Sequence, residues 1–333
     1  MNRGKYVFMQ PEVIAKAVKV LRAGGLVGFP TETVYGLGAD ASNPEAIKKI
    51  YAAKGRPRNH PLIVHLAAFD AVSGWASEIP DAAKRLAERY WPGPLTLILK
   101  RAANVSVLVT GGQDTVALRV PSHPVAQALL KAFGGGIAAP SANRYSRVSA
   151  TTAEHVTGEF GGEIDFVIDG GACDLGIEST IVDVSGAQPA LLRPGSITAR
   201  ELETALGGPL AAPGELSPRA PGTHTKHYAP RAPVMLMEGD LVAELAASMS
   251  RQGHKVAVLA RSTERPVLPG VTWIAASAVP VLYAHDLYAN LRALDQAGCS
   301  AILVEQPPLS PAWAAIQDRL MRAAAGSAAP DAT

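Results

Sequence analysis

Apolar positions along the chain switch between a helical and a strand period. Residues 11–23, PEVIAKAVKVLRA, set Ile14, Val18 and Leu21 on one helical stripe that Gly24-Gly25 ends. LVGFP (26–30) reads as a buried strand, and the following TETVYGLGAD as a glycine-punctuated turn. Asn43-Pro44 predicts an N-cap with proline at the first helical position, opening a helix through Lys54. Strands are predicted over 62–67, 95–100 and 115–121, and helices over 80–91 and 124–133. Further strand-like runs at 136–140, 165–170, 179–184 and 190–195 lead to a helix over 197–206. Strands first interleaved with helices and then in succession predict one large mixed, twisted sheet with helices against it.

Residues 207–233 change character, being dense in Pro and Gly and without apolar periodicity. Such a run is too long for a simple connection inside a compact domain and predicts a linker. Its two histidines, one tyrosine and several cations predict that it touches something. From Val234 a β-α-β pattern begins, with strands at 234–238, 255–260, 273–276 and 301–306 and helices at 240–252, 281–297 and 312–324. The α/β chain thus divides into a first domain (1–206), a linker (207–233), a smaller parallel α/β domain (234–325) and a frayed tail (326–333).

Composition narrows the class. Apolar residues make up 48% and charged residues 18% of the 333, which suits a packed enzyme rather than a disordered chain. With 31 basic against 29 acidic residues the formal charge is +2, so any anion recognition must be local. Cys173 and Cys299 match no metal or disulfide spacing and suit a reducing compartment. The start, MNRGKYVFMQPEV, lacks a secretory h-region, and no run approaches membrane-spanning length. A cytoplasmic protein without membrane contact is expected.

Local charge is concentrated in KGRPRNHPLIVH (54–65), where Lys54, Arg56 and Arg58 repel one another unless they share an anion. An extended alternation, stiffened by Pro57 and Pro61, would put all three on one side and aim them at phosphate or carboxylate oxygens. The competing reading is a solvated basic loop. In TVALR, Thr115 and Arg119 share a face of an otherwise apolar strand, and a partly buried arginine needs an anion. Glu32, Glu178 and a substrate carboxylate are equal candidates for that partner. Thr33 reads either as a ligand-gripping hydroxyl or as a turn residue satisfying its own loop, and His65 either as a ligand contact or as a core histidine. The hydroxyl-rich APSANRYSRVSAT (139–151) offers Ser141, Asn143, Ser149 and Thr151 as ligand contacts or helix caps. No phosphate loop, dinucleotide fingerprint or nucleophile elbow is present, and HTKH (224–227) lies among prolines that preclude a zinc-binding helix. Without paired carboxylates, catalysis would rest on positioning and charge neutralisation.

FPTETVYGLGADA, KGRP…HPLIVH, TVALRVPSHP, APSAN, GIESTIVDV, LLRPG and KHYAP, in that order over roughly residues 10–230, resemble the YrdC-like family. KHYAP and the following α/β domain match the long, two-domain form of threonylcarbamoyl-AMP synthase. The resemblance implies a YrdC-like first domain and a Rossmann-like second one. It implies synthesis of L-threonylcarbamoyladenylate from L-threonine, bicarbonate and ATP, with Mg²⁺ accompanying the nucleotide and no dedicated protein ligands for it. The product would pass to a threonylcarbamoyl-transfer machinery that modifies adenosine 37 of tRNA, with at most weak direct tRNA contact. Thr33, His65, Arg119, Ala139 and Ser179 would hold threonine. Arg56, His60, Thr115, Ser141, Ser149, Arg193 and Tyr228 would surround the nucleotide, and Lys54 and Arg56 would offset charge on the departing pyrophosphate. Tyr228 would place the linker as a lid that keeps water from a labile anhydride. The chain departs from the family's usual pattern at Asn59-His60, at Tyr145-Ser146 and Ser149-Ala150-Thr151, and before KHYAP. Two other readings are a carbamoyl-adenylate-forming carbamoyltransferase, whose zinc-finger cysteines are missing here, and a binder of tRNA or double-stranded RNA.

Overall fold

The computed structural model describes residues 10–214 and 217–327. The chain forms two compact units: one reaches from the N-terminal side to Tyr145 and resumes over Ala150–Thr223, and the other comprises Ser146–Ser149 and the chain from His224 on. The proline-rich run expected as a linker is therefore shared between them.

The first unit contains α1 (Pro11–Arg22), β1 (Val27–Phe29), β2 (Gly36–Asp40), α2 (Pro44–Lys54), β3 (Ile63–His65), α3 (Asp81–Tyr90), β4 (Leu95–Lys100) and α4 (Val107–Thr110). There follow β5 (Thr115–Arg119), α5 (Pro124–Phe133), β6 (Ile137–Ala138), α6 (Ala153–Phe160), β7 (Phe166–Val167), β8 (Thr180–Asp183), β9 (Ala190–Arg193) and α7 (Ala199–Leu206). Nine strands make one mixed sheet in the order β7-β1-β2-β6-β3-β5-β4-β8-β9. Asn43 caps α2 as its sequence predicts, its side chain accepting from the N–H groups of Glu45 and Ala46.

Residues 36–40 overturn one expectation, because TETVYGLGAD is not all turn. Gly36–Asp40 is a strand paired antiparallel with β1 and β6. Its glycines serve close packing rather than chain reversal: a Cβ on Gly38 would meet Phe29 Cε1 at 2.7 Å and Ile137 Cγ2 at 2.9 Å.

Register sorts the side chains into two faces. Leu37, Val64, Leu97, Leu99, Val116, Leu118 and Val182 join the larger core with α2, α3 and α7. Val27, Phe29, Ile137 and Ala139 face the other way and are covered by α1 and α5 through Ile14, Leu21, Val125 and Leu129. Farther along that second face, Ile63, Ile98, Ala117 and Ile181 form a smaller cluster closed by Ala220. Arg219 fixes this stretch of chain by donating to the carbonyls of Asn59 and Gly111, while its own N–H donates to Gln113 Oε1.

The second unit holds β10 (Val234–Met237), α8 (Gly239–Arg251), β11 (Val256–Ala260), β12 (Val271–Ala275), α9 (Pro280–Gln296), β13 (Ala301–Glu305) and α10 (Ala314–Ser327). Its sheet is parallel throughout, in the order β10-β13-β11-β12, as the β-α-β pattern predicts. Glu305, at the end of β13, accepts from the backbone N–H groups of Arg261, Ser262 and Thr263. The tail expected to fray begins inside α10, and from residue 328 it lies outside the described residues. Among the described residues no helix is long and apolar enough to cross a membrane.

Candidate active site

The second face of the large sheet carries a line of polar residues across four neighbouring strands. β3 and β5 run parallel with His65 opposite Arg119, and the antiparallel register of β5 and β4 brings Thr96 beside Arg119. β4 and β8 run parallel, and Ser179, just before β8, meets Thr96 with 2.7 Å between their hydroxyl oxygens. His65, Arg119, Thr96 and Ser179 are all buried. A polar row inside an apolar sheet must be satisfied by its own members or by a ligand.

Arg119 is the hub. Nε donates to the Gly93 carbonyl at 3.3 Å, Nη1 to Thr33 Oγ1 at 2.8 Å, and Nη2 lies 2.8 Å from Glu32 Oε1. Of the three partners left open by the sequence, Glu32 is the one that pairs with Arg119 in the protein itself. Proton accounting settles the neighbouring turn: Thr31 Oγ1 donates to the Val34 carbonyl, so in its 2.8 Å contact with Thr33 the proton comes from Thr33. Thr33 therefore accepts from Arg119 and donates to Thr31, which fixes its orientation.

His65 stands next to Arg119, with its ring edge-on to Phe29 at 6.1 Å. Burial, and then the Arg119 charge, push its pKa down to about 3, so the imidazole is neutral at physiological pH. Its Nδ1 is buried without a hydrogen-bond partner. Ala139 follows β6 and donates its N–H to the Ile63 carbonyl at 2.9 Å.

Arg193 locks the other end of the row. Its Nε and Nη2 donate to the Ser179 carbonyl at 3.1 and 2.9 Å, Nη2 also reaches Ser179 Oγ at 3.1 Å, and Nη1 donates to the Pro221 carbonyl at 2.8 Å. Thr96 was not singled out from the sequence. Its signal lies in LTLILK, where it is a polar residue inside the strand on the same face as Ile98 and Lys100.

The cationic motif departs from the expected extended alternation. Lys54 ends α2, and Gly55 turns the chain in the left-handed region at φ 63°, so the three cations do not alternate along one extended strand. Lys54 and Arg56 are buried, and Arg58 is exposed. Lys54 Nζ donates to the Ser141 carbonyl at 2.6 Å and to that of Asn143. Burial, and then the neighbouring Arg56 charge, hold its pKa well below the ordinary lysine value. Arg56 Nη2 donates to the Pro61 carbonyl at 3.0 Å. The His60 ring packs edge-on against Tyr145 at 5.4 Å, and its carbonyl accepts the Tyr51 hydroxyl. Thr115 opens β5, four residues and about 13 Å from Arg119 along the strand.

Ser149 and Tyr228 fall in the second unit. Arg292 Nε donates to the Ser149 carbonyl there. Tyr228 adopts φ 60°, stacks on Tyr288 at 5.6 Å and lies under the Arg319 guanidinium.

Comparison with known proteins bears on both units. The profile of the Sua5/YciO/YrdC family, described as "Telomere recombination", matches residues 19–195, and that of "Threonylcarbamoyl-AMP synthase, C-terminal domain" matches 197–325. The chain is 40% identical to a threonylcarbamoyl-AMP synthase of Pyrococcus abyssi over 92% of each protein. It is 42% identical to one of Bacillus subtilis, covering 94% of this chain and 93% of that one. The crystal structure of P. abyssi Sua5 complexed with L-threonine superposes with a TM-score of 0.87 at 39% identity, covering 94% of each chain.

Proposed function

The chain belongs to the threonylcarbamoyl-AMP synthase family, in its long two-domain form, and we propose that it joins L-threonine, bicarbonate and ATP into L-threonylcarbamoyladenylate, releasing pyrophosphate. The observation that carries the reading is the buried row His65–Arg119–Thr96–Ser179 with Thr33 bonded to Arg119. It offers a cation, a neutral imidazole and oriented hydroxyls within one face, which suits a small hydroxylated amino acid. A relative of the same architecture was crystallised with L-threonine.

In this reading the amine of threonine captures bicarbonate or carbon dioxide, and the resulting carbamate oxygen attacks the α-phosphorus of ATP. Thr33, His65, Arg119, Ala139 and Ser179 hold threonine. Arg56, His60, Thr115, Ser141, Ser149, Arg193 and Tyr228 are the residues assigned to the nucleotide. Lys54, tied to the Ser141 and Asn143 carbonyls, sets the loop after β6 and adds charge beside Arg56 that offsets the leaving pyrophosphate. Mg²⁺ belongs to this proposal as the counter-ion that arrives with the triphosphate, and the proline-rich run as a cover against hydrolysis. The adenylate would supply threonylcarbamoyl transfer to tRNA in the cytoplasm.

Neither a carbamoyltransferase nor an RNA-binding protein is favoured, because relatives matched over nine-tenths of both chains are threonylcarbamoyl-AMP synthases. The test is mass spectrometry of the product formed by the full-length protein from labelled threonine, bicarbonate and ATP. Pyrophosphate release should require both threonine and bicarbonate; release indifferent to threonine would overturn the assignment.

A further inference from the structure

We propose that Glu32 receives the α-ammonium group of the amino-acid substrate, so that Glu32 and Arg119 together recognise a zwitterion. This rests on the functional reading above and assigns a residue outside the threonine contacts that the resemblance implies.

The two oxygens of Glu32 are used unequally. Oε2 accepts the backbone N–H of Ser122 at 3.1 Å. Oε1 lies 2.8 Å from Arg119 Nη2, yet both atoms are buried without an aligned hydrogen bond. An ionised carboxylate oxygen has two acceptor positions, so Oε1 keeps capacity for a donor. A buried ion pair with unfilled hydrogen-bonding positions is poorly repaid for its desolvation. An arriving ammonium and carboxylate would replace one misaligned contact with two charge-assisted ones. The spacing suits this exchange, since the charged atoms of an amino acid are about 3 Å apart by covalent geometry.

Glu32 borders a cavity of about 470 Å³, bounded also by Pro92, Pro94, Ser122 and Ile197. Asp174 borders the same cavity but is exposed, so water screens its charge. Glu32, by contrast, is 4% exposed, and its field is felt where water is excluded. A solely structural Glu32, which only steadies Arg119, is the alternative.

The experiment compares L-threonine with the analogue that carries a hydroxyl in place of the α-amine, by calorimetric titration of the full-length protein. The wild type should prefer threonine by about tenfold or more, the scale of one charge-assisted contact. Glu32→Gln should weaken threonine by about tenfold and leave the analogue unchanged or tighter, because Arg119 then lacks its internal counter-charge. Asp174→Asn should retain the wild-type preference. If Glu32→Gln does not fold, Glu32→Asp, which withdraws the carboxylate by one methylene, should still lose affinity for threonine selectively. Equal affinities in the wild type, or equal weakening of both ligands in the Glu32 variants, would overturn the inference and leave the functional reading standing. A wild type that binds no threonine would overturn both.

Discussion

Arg119 Nη1 and Thr33 Oγ1 are joined by a 2.8 Å hydrogen bond that spans 86 residues of sequence. It ties the end of β5 to the turn between β1 and β2, and the same guanidinium also reaches Gly93 and Glu32. Lysine, with one compact ammonium, cannot serve these three directions at once. Arg119→Lys should therefore raise the threonine KM by about tenfold while moving the ATP KM little. Arg119→Ala should also cost about 3–5 kcal/mol of stability by leaving Glu32 buried without its counter-charge. Steady-state kinetics and denaturant unfolding measure the two effects, and an equal rise in both KM values would contradict the role given to Arg119.

Thr96→Val keeps the shape of the side chain and removes the hydroxyl that meets Ser179. Ser179 Oγ then keeps only the donor from Arg193, so its orientation loosens. A loss of about 1 kcal/mol in stability and a rise of severalfold in the threonine KM are expected. Unchanged kinetics would show that Thr96 only fills space.

His65 and Glu305 are among the groups that make stability depend on pH in the acid range, and His123 is shifted in the same direction as His65. His65 has a folded pKa near 3 against an ordinary value of 6.5, so the unfolded chain binds its proton first. Its contribution is complete above pH 6.5 and is lost as pH falls towards 3. Glu305 is held at about 2 against an ordinary 4.5. Burial opposes that shift, but donors from Ser262, Arg261 and Thr263 outweigh it. Its contribution is present above pH 4.5 and fades as pH falls towards 2. Melting temperatures measured from pH 3 to 7 should rise with pH, and His65→Gln should flatten the upper part of that rise. An unaltered slope in His65→Gln would contradict a neutral buried imidazole.

Gly38→Ala would force a methyl group against Phe29 and Ile137. Overpacking of this kind costs about 1–3 kcal/mol, which a shifted denaturation midpoint would reveal. A neutral substitution would show that β1 and β6 can separate without penalty.

What could be read from the sequence was whatever depends on near neighbours. The short, mostly apolar runs LTLILK and TVALR placed two strands of the sheet, and Asn43-Pro44 placed the start of α2, because pleat and cap are set within a few residues. Arg119 stood out as a buried cation in need of an anion, and the ordered motifs from FPTETVYGL to KHYAP indicated the family. The glycines of β2 misled, since in sequence a glycine required by Phe29 across the sheet resembles one that turns the chain. The cationic triplet misled too, because Lys54 ends a helix and the left-handed Gly55 follows it, so the three cations are not spaced along one extended strand.

Only the tertiary structure chose Glu32 among three possible partners of Arg119, and only it brought Thr96 to Ser179 across 83 residues. Local periodicity sets which side of a strand a residue occupies. Which strands become neighbours, and therefore which charges and hydroxyls meet, is settled by sheet order and register, and these follow from burying the whole apolar surface at once.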